Sequence, residues 1–249
     1  MSAKILFLRL EFESEKIDMK KLSITLIAIF AAVTFFSCKD DSGLYVEQMY
    51  TDAQKENAIM ACLDACADTA VAHLFVSDGF YTYKDMDYRI SYTTLESSLF
   101  DTLTRHGYDN LIDTLILRTN RLAENCGPQV STALHAAIDS LDITDYDALV
   151  KGSDDAITDY FELYEYRHLK SSFQTPVSVR MPLFHVSEVW NEMVQHYTEY
   201  AAAPLNFDIQ NYIVEQMLEA ILTEMRAEEA LVRSDSTHRN DAMKLLGKD

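Results

Sequence analysis

Charged residues near the C-terminus have the spacing best suited to bringing opposite charges together. Glu229 precedes Arg233 by four residues, the favourable order for an ion pair on a helix, and Glu228 and Arg239 lie close enough in sequence to extend it. We expect a structural network that locks the last two helices, with a ligand clamp as the alternative. If Arg233 is an exposed partner of Glu229, Arg233→Ala should lower the free energy of unfolding by only about 0.3–0.5 kcal/mol.

A second group of chemically capable residues lies in the middle of the chain. Tyr160 and Tyr164 share one face of a predicted helix, and Thr158 presents a hydroxyl beside them. Aromatic residues at this spacing usually belong to a core. An enzyme is the alternative, with Asp155 or Glu228 as acid and base around a cleft lined by tyrosines, because paired carboxylates need no diagnostic motif.

Other catalytic and metal-binding patterns are missing from the sequence. It contains no G-x-S-x-G, G-x-x-x-x-G-K, G-x-G-x-x-G or H-E-x-x-H motif, and its seven histidines include no pair at the spacing of a metal-binding helix face. The acidic run between residues 139 and 159 does not match an EF-hand loop, because starting at Asp142 places Tyr146 at a ligand position. We therefore predict no catalytic residue, no metal and no cofactor.

Three cysteines lie in the predicted domain, and they have no redox or zinc spacing. Cys62 and Cys66 are four residues apart in a helical stretch and share one face, while Cys126 is distant in sequence. We expect them to be buried as small apolar residues.

Helical periodicity governs the chain after a short polar segment. The apolar spacing predicts helices from Thr51 or Asp52 to Asp78-Gly79 and then over about 94–105, 109–125, 129–140, 145–150, 153–173 and 185–200. The segment near 80–92 alternates tyrosines with polar residues, which predicts an extended stretch or a small hairpin. Two prolines, Pro176 and Pro182, predict an irregular or extended stretch over 177–183.

The segment from 209 to 232 has the widest apolar stripe, more than half of a helical wheel. We expect it to be the central buried helix, so that replacing Met217 or Ile221 by Ala costs about 2–5 kcal/mol. A final helix over about 237–246 should pack beside it. The sequence thus predicts one compact all-α domain of about seven to eight helices over residues 51–249.

Composition agrees with this fold and restricts the partners. The chain is 48% hydrophobic and has only six glycines and four prolines, fewer than a sheet-rich protein of 249 residues normally needs for its turns. Its formal net charge of −19 argues against a nucleic-acid partner, since a phosphate backbone is bound by Lys and Arg.

The N-terminal region has the features of a processing signal. Residues 1–18 are too acidic for the start of such a signal, and we interpret them as an extension before a true start at residue 19. Lys20 and Lys21 then precede an uncharged run over 22–36, which is shorter than the roughly 20 residues of a transmembrane helix. Residues 19–37 therefore resemble a bacterial lipoprotein signal peptide. The alternative is an ordinary signal peptide that is cut elsewhere, or an uncleaved anchor.

The residue after this signal is Cys38, which we predict to be acylated and to begin the mature chain, followed by a tether over 38–50. Lys39, Asp40 and Asp41 resemble the Lys and two acids that direct lipoproteins of Bacteroidetes-type bacteria to the outer face of the outer membrane. A polar tether without special meaning is the alternative for these three residues.

The order of motifs is similar to that of a bacterial family, domain of unknown function 4197. The resemblance rests on KENAIMACLDACADTAVAHL leading to Asp78-Gly79-Phe80, on YRISY, on AIDSLDITDYDALVKGSDDAITDYF and on NYIVEQMLEAILTEMRAEEALVRSDSTHRNDAMKLLG. It covers nearly all of residues 55–247. It implies a helical fold and an envelope location, and no particular reaction.

These observations favour an outer-membrane lipoprotein over an enzyme. We expect the membrane to be contacted through acylated Cys38, with surface display favoured and the periplasmic face as the alternative. The domain would be a non-catalytic binding or scaffold module for an envelope protein or small ligand that the sequence does not identify. A deep pocket with one candidate acid buried beside another would favour the enzyme instead.

Overall fold

Eight α-helices and two short 3-10 turns make up the part of the chain that the computed structural model describes, residues 49–81, 89–90, 97–201 and 205–248. No strand occurs among these residues, which confirms the all-α prediction. The helices are α1 (Asp52–Leu74), α2 (Ser97–Arg105), α3 (Asp109–Glu124), α4 (Gly127–Ser140), α5 (Tyr146–Val150), α6 (Ala156–Leu183), α7 (Val186–Tyr200) and α8 (Ile209–Ser234).

The first helix begins where the sequence predicts and ends earlier. The Thr51 hydroxyl accepts a hydrogen bond from the Gln54 backbone N–H at 3.3 Å, and the Gln54 side-chain oxygen accepts one from the Thr51 N–H at 2.9 Å. Helix α1 ends at Leu74, because the chain then turns sharply through Asp78, whose φ is 64°. A Cβ at Gly79 would lie 2.3 Å from the Leu74 carbonyl oxygen, so this turn requires glycine.

Helix α8 is the central helix of the described domain. It packs against α1 on one side and α6 on the other. Met217 and Ile221 are fully buried, as its wide apolar stripe predicts. The prediction that residues 209–232 form the central buried helix is therefore confirmed.

Helix α6 continues through both of its prolines, so the prediction of an irregular stretch over 177–183 is wrong. Proline removes one helical hydrogen bond and costs roughly 3 kcal/mol in a helix interior. Pro176 is itself buried, and Phe173 and Val177 beside it are fully buried. Because the apolar stripe of α6 runs past Pro176 without a break, core burial offsets the lost hydrogen bond.

The predicted final helix over 237–246 is also wrong, since 3-10 turns occur at Ser236–His238 and Ala242–Leu246 instead. The Asp235 carboxylate accepts a hydrogen bond from the Thr237 N–H at 2.8 Å, and the Asn240 side chain accepts one from the Ala242 N–H at 2.9 Å. Side chains that bond nearby backbone groups restart the turn and compete with a continuous helix.

Several predictions fall outside the described residues. The extension, the signal peptide, Cys38, Lys39, Asp40, Asp41 and the tether up to residue 48 lie there, as does most of the segment near 80–92. At the start of that segment the structure has a turn, in which the Tyr81 N–H donates to the Asp78 carbonyl at 3.0 Å. Among the helices that the structure describes, none is both long and apolar enough to cross a membrane.

Candidate functional site

The carboxylate of Glu229 on α8 caps the first turn of α6. Its Oε1 accepts a hydrogen bond from the Ile157 N–H at 2.9 Å, and its Oε2 accepts bonds from the Thr158 N–H at 2.7 Å and the Thr158 hydroxyl at 2.8 Å. Asp155 occupies the N-cap position of α6, but its side chain makes no capping bond. The N-terminal N–H groups of a helix attract negative charge. The Glu229 carboxylate, which belongs to another helix, therefore caps α6 in place of Asp155.

Arg233, one turn further along α8, completes the arrangement. Its Nε and Nη2 donate to Glu229 Oε1 at 3.0 and 2.8 Å. Its Nη2 and Nη1 also donate to the carbonyls of Leu149 and Val150 at 2.9 and 3.0 Å, at the C-terminal end of α5. The pair, called here the Glu229–Arg233 clasp, therefore ties α8 to the end of α5 and to the start of α6.

The structure confirms the ion pair between Glu229 and Arg233, but the expectation of an exposed Arg233 is wrong. Both side chains are fully buried. The tight turn between α5 and α6 covers them, and it depends on Gly152, where a Cβ would lie 2.5 Å from the Ala156 Cβ and 2.8 Å from the Ala148 carbonyl oxygen.

The predicted extension of this network has different partners. Glu228 Oε1 lies 2.8 Å from His238 Nδ1, and Arg239 follows the same 3-10 turn in a partly buried position. The Lys248 N–H donates to the Arg233 carbonyl at 3.0 Å, which fastens the C-terminal tail to the clasp. The network therefore joins α8 to α5, α6 and the tail, and it does not lock two final helices together.

Tyr160 anchors the loop that precedes α5. Its hydroxyl donates to the Asp142 carbonyl at 2.8 Å and accepts a bond from the Thr144 N–H at 3.4 Å. The rings of Tyr160 and Tyr164 are 4.5 Å apart, which confirms their shared face, although Tyr164 is 52% exposed. Asp155 accepts a 2.6 Å hydrogen bond from the Ser153 hydroxyl outside this contact.

A polar cluster that sequence analysis missed joins α3 to the turn after α1. Arg121 lies 2.5 Å from Asp78 Oδ1 and 2.7 Å from Glu124 Oε2. The guanidinium groups of Arg121 and Arg89 lie 5.8 and 5.3 Å from the centre of the Tyr81 ring. Burial raises the pKa of the Glu124 carboxyl although Arg121 opposes the shift. The only sequence indication was that Asp78-Gly79-Phe80 and YRISY both carry the family resemblance.

Asn120 holds Ile90, a residue of the second of these motifs, against α3. It is fully buried, its Nδ2 donates to the Ile90 carbonyl at 3.1 Å, and its Oδ1 accepts from the Ile90 N–H at 3.0 Å. This pair of bonds satisfies the backbone of Ile90 much as a neighbouring strand would. Asn120 lies four residues after Ile116 and three before Ala123, on a largely apolar face of α3, and this spacing was the sequence feature that could have indicated it.

The three described cysteines are buried and free, as predicted. The sulfur atoms of Cys62 and Cys66 are 3.9 Å apart on one face of α1. Burial raises the pKa of the Cys126 thiol to about 11, so this thiol is protonated and unreactive at neutral pH.

Histidines of the described domain pair with carboxylates across helices. His73 Nδ1 lies 2.7 Å from Glu224 Oε2, and His135 lies 3.0 Å from Asp64 and 3.1 Å from Asp68. Within the described residues, no group of three or more His, Cys, Asp or Glu side chains is placed to hold a metal ion.

Comparison with known proteins identifies a family for this helical domain. The profile of the family described as Protein of unknown function (DUF4197) matches residues 49–247. No curated protein and no solved structure matches the chain.

Proposed function

Because the chain belongs to the DUF4197 family, whose description names no activity, we propose a role from its own residues: a lipoprotein of the outer membrane that acts as a non-catalytic binding or scaffold module of the cell envelope. Support for the anchor comes from the order of Lys20, Lys21, an uncharged run and Ser37-Cys38. Several acyl chains on Cys38 would hold the domain on the membrane, since each buried methylene contributes about 0.8 kcal/mol.

The non-catalytic part of the proposal is supported mainly by the buried ion pair, whose hydrogen bonds all go to groups within the described domain. The described hydrogen bonds of the Glu229 and Arg233 side chains go to each other, to Thr158 and to the backbone of α5 and α6. A general acid or base must reach a substrate proton within hydrogen-bond distance. The Glu229 carboxylate and the Arg233 guanidinium instead bond groups of α5 and α6, and so they hold these helices against α8.

A carboxylate enzyme has weaker support from the other candidate acids. Asp155 is only partly buried and accepts from Ser153, while Glu228 pairs with His238. A described cleft between α4 and α6 is lined by alanine and serine residues with one Leu, one Glu and one His, and its lining includes no tyrosine. The geometry therefore favours a module that binds over one that catalyses.

Surface display is the favoured location within this proposal, and the periplasmic face is the alternative. Lys39, Asp40 and Asp41 directly after the acylated residue support export to the outer face. The net charge of −19 would keep the domain away from anionic headgroups and from nucleic acid. The partner would be an envelope protein or a small ligand.

The anchor is tested with a Cys38→Ala variant expressed in a host that processes lipoproteins. We expect the variant to stay unprocessed and to lose fatty-acid labelling and its membrane fraction. A Cys126→Ala variant, which removes a buried thiol of the domain, is the matched control and should label normally. An unmodified mature N-terminus at another residue, found by mass spectrometry, would refute the anchor.

Display is tested separately by protease treatment of intact cells. A surface protein should be degraded in intact cells, and an Asp40→Ala/Asp41→Ala variant should become protected while keeping its acyl label. If the unaltered protein is degraded only after lysis, it faces the periplasm and the export role of Lys39, Asp40 and Asp41 is wrong.

A further inference from the structure

A small cleft opens between α4 and α6, away from the clasp. Its volume is about 220 Å³. Helix α4 contributes only small side chains, and α6 contributes a carboxylate, an imidazole, a leucine and a serine; together they are Ala133, Ala136, Ala137, Ser140, Glu165, His168, Leu169 and Ser172. The cleft thus combines four apolar side chains with two serine hydroxyls, one imidazole and one carboxylate.

Glu165 is the charged group that this cleft encloses. The residue is only 7% exposed, yet its carboxylate has one described hydrogen bond, from Oε2 to His168 Nδ1 at 2.9 Å. Its Oε1 accepts no hydrogen bond from any residue that the structure describes, and it is not among the buried atoms without a partner. This oxygen is therefore within reach of a ligand in the cleft.

Among the described residues, His168 is the one donor that bonds the Glu165 carboxylate. His168 is 78% exposed, so its ring sits at the outer edge. A carboxylate that is largely buried and has one hydrogen bond is costly unless a further donor, preferably a cation, reaches it. By contrast, His185 and Glu188 form the same kind of pair on α7 with both side chains largely in solvent.

From this geometry we infer that the cleft binds the ammonium end of a primary alkylamine, with the N–H groups donating to Glu165 Oε1 and the alkyl chain against Ala133, Ala137 and Leu169. The cleft volume equals that of about seven molecules of liquid water at about 30 Å³ each, which leaves room for the five non-hydrogen atoms of butylammonium. One available carboxylate oxygen suits the point charge of an ammonium, whereas a guanidinium is bound best by two oxygens. The net charge of −19 attracts cations to the whole domain.

This inference rests on the proposed function, since it assigns a ligand chemistry to the binding module. A free amine and a lysine side chain of a partner protein share the ammonium and the four-carbon chain. Both are therefore probed, with n-butylammonium for the free amine and Nα-acetyl-lysine-N-methylamide for a lysine within a protein.

Binding is measured by NMR titration of the soluble domain, residues 49–249, at constant ionic strength, after circular dichroism has shown that this fragment is helical and unfolds cooperatively. We expect saturable shifts at residues around the cleft. Glu165→Gln should weaken binding at least about tenfold, because it removes the charge from the hydrogen bond. Ala136→Leu at the exposed edge should obstruct the cleft and weaken binding similarly. Glu188→Gln, the matched control, should bind like the unaltered domain.

Comparison of the two probes identifies the source of the ligand. Tighter binding of the lysine derivative indicates a side chain of a partner, and tighter binding of butylammonium indicates a free amine. The inference is overturned if Glu165→Gln binds butylammonium as well as the unaltered domain does, or if butyrate binds equally well. Either failure leaves acylation at Cys38 untouched, so it is distinguishable from failure of the proposed lipoprotein.

Discussion

Arg226 and Arg233 lie seven residues apart on α8. Each forms ion pairs where α8 contacts another helix, but the two sites differ in their exposure to water. Arg226 Nε donates to Asp159 Oδ1 at 2.8 Å and its Nη2 contacts Glu162, both on α6, while the Arg226 side chain stays 28% exposed. Arg233 is fully buried and bonds Glu229 and two carbonyls of α5. The two sites have similar residue types but differ in their access to water.

This difference decides how much each arginine matters to stability. Water solvates the charges at Arg226 and competes for its hydrogen bonds, so such pairs contribute about 0.2–1 kcal/mol. At the clasp, both side chains are fully buried, so each group depends on its protein partner. Removing one member of such a pair leaves the other charge buried and unpaired, which costs about 3–5 kcal/mol.

The largest expected effect is therefore at Arg233. We expect Arg233→Ala to lower the free energy of unfolding by about 3–5 kcal/mol, because it strands the Glu229 carboxylate and frees the carbonyls of Leu149 and Val150. Urea unfolding followed by circular dichroism measures it, with Arg226→Ala as the matched control. A loss below 1 kcal/mol for Arg233→Ala would mean that water reaches the clasp and that the two arginines are equivalent.

Ile221 on the same helix supplies an apolar reference for this comparison. Ile221→Ala should cost about 2–5 kcal/mol through lost transfer free energy and the cavity left among α1, α6 and α8. Leu231→Ala, at a partly exposed position of α8, is the control and should cost less. Equal losses for Ile221→Ala and Leu231→Ala would contradict the central position of α8.

Local sequence patterns predicted the features of α8 that depend on α8 alone. Its wide apolar stripe indicated the burial of Met217 and Ile221, and the spacing of four residues indicated the pair of Glu229 and Arg233. Burial of that pair depends on α5, which is 83 residues earlier at Val150, and on the turn at Gly152. No periodicity within α8 contains this information.

The other features that the sequence did not predict also depend on contacts between distant parts of the chain. Asp78 and Arg121 are 43 residues apart, so only the packing of α3 on the preceding turn brings them together. Pro176 predicts a helix break because the hydrogen bond that proline removes is evident from the sequence. The burial that offsets this loss depends on tertiary packing. Glu165 and His168 had suitable helical spacing, but the small residues of α4 that open a cleft beside them come from elsewhere in the chain.

Arg226 is expected to show the opposite behaviour to Arg233. Arg226→Ala should cost about 0.5–1 kcal/mol at low salt, since its partners Asp159 and Glu162 are partly solvated. The loss should shrink in 1 M NaCl, where the screening length falls to about 3 Å. Urea unfolding at both salt concentrations measures the change. The loss for Arg233→Ala should persist in high salt; if both losses shrink together, burial does not separate the two sites.

His135 extends the comparison to an exposed cation whose charge depends on pH. Its two ring nitrogens lie 3.0 Å from Asp64 and 3.1 Å from Asp68 on α1, and both contacts are hydrogen bonds only when the imidazole is protonated. Burial alone would lower the pKa of His135, but the hydrogen bonds with Asp64 and Asp68 outweigh it and raise the pKa above the usual 6.5.

The smallest predicted effect follows from this shift. A pKa that is higher in the folded state contributes stability that is fully present below about pH 6.5, the unfolded value, and is lost as the pH rises through the folded value. His135→Asn should therefore lower the free energy of unfolding more at pH 5.5 than at pH 8.5. The difference should be only a few tenths of a kcal/mol, because His135 and its two carboxylate partners are partly exposed to water. In an Asp64→Asn/Asp68→Asn background, the same substitution should show no such pH dependence. A larger loss at pH 8.5 than at pH 5.5 would mean that neutral His135 holds α4 against α1, with one ring nitrogen as donor and its charge playing no part.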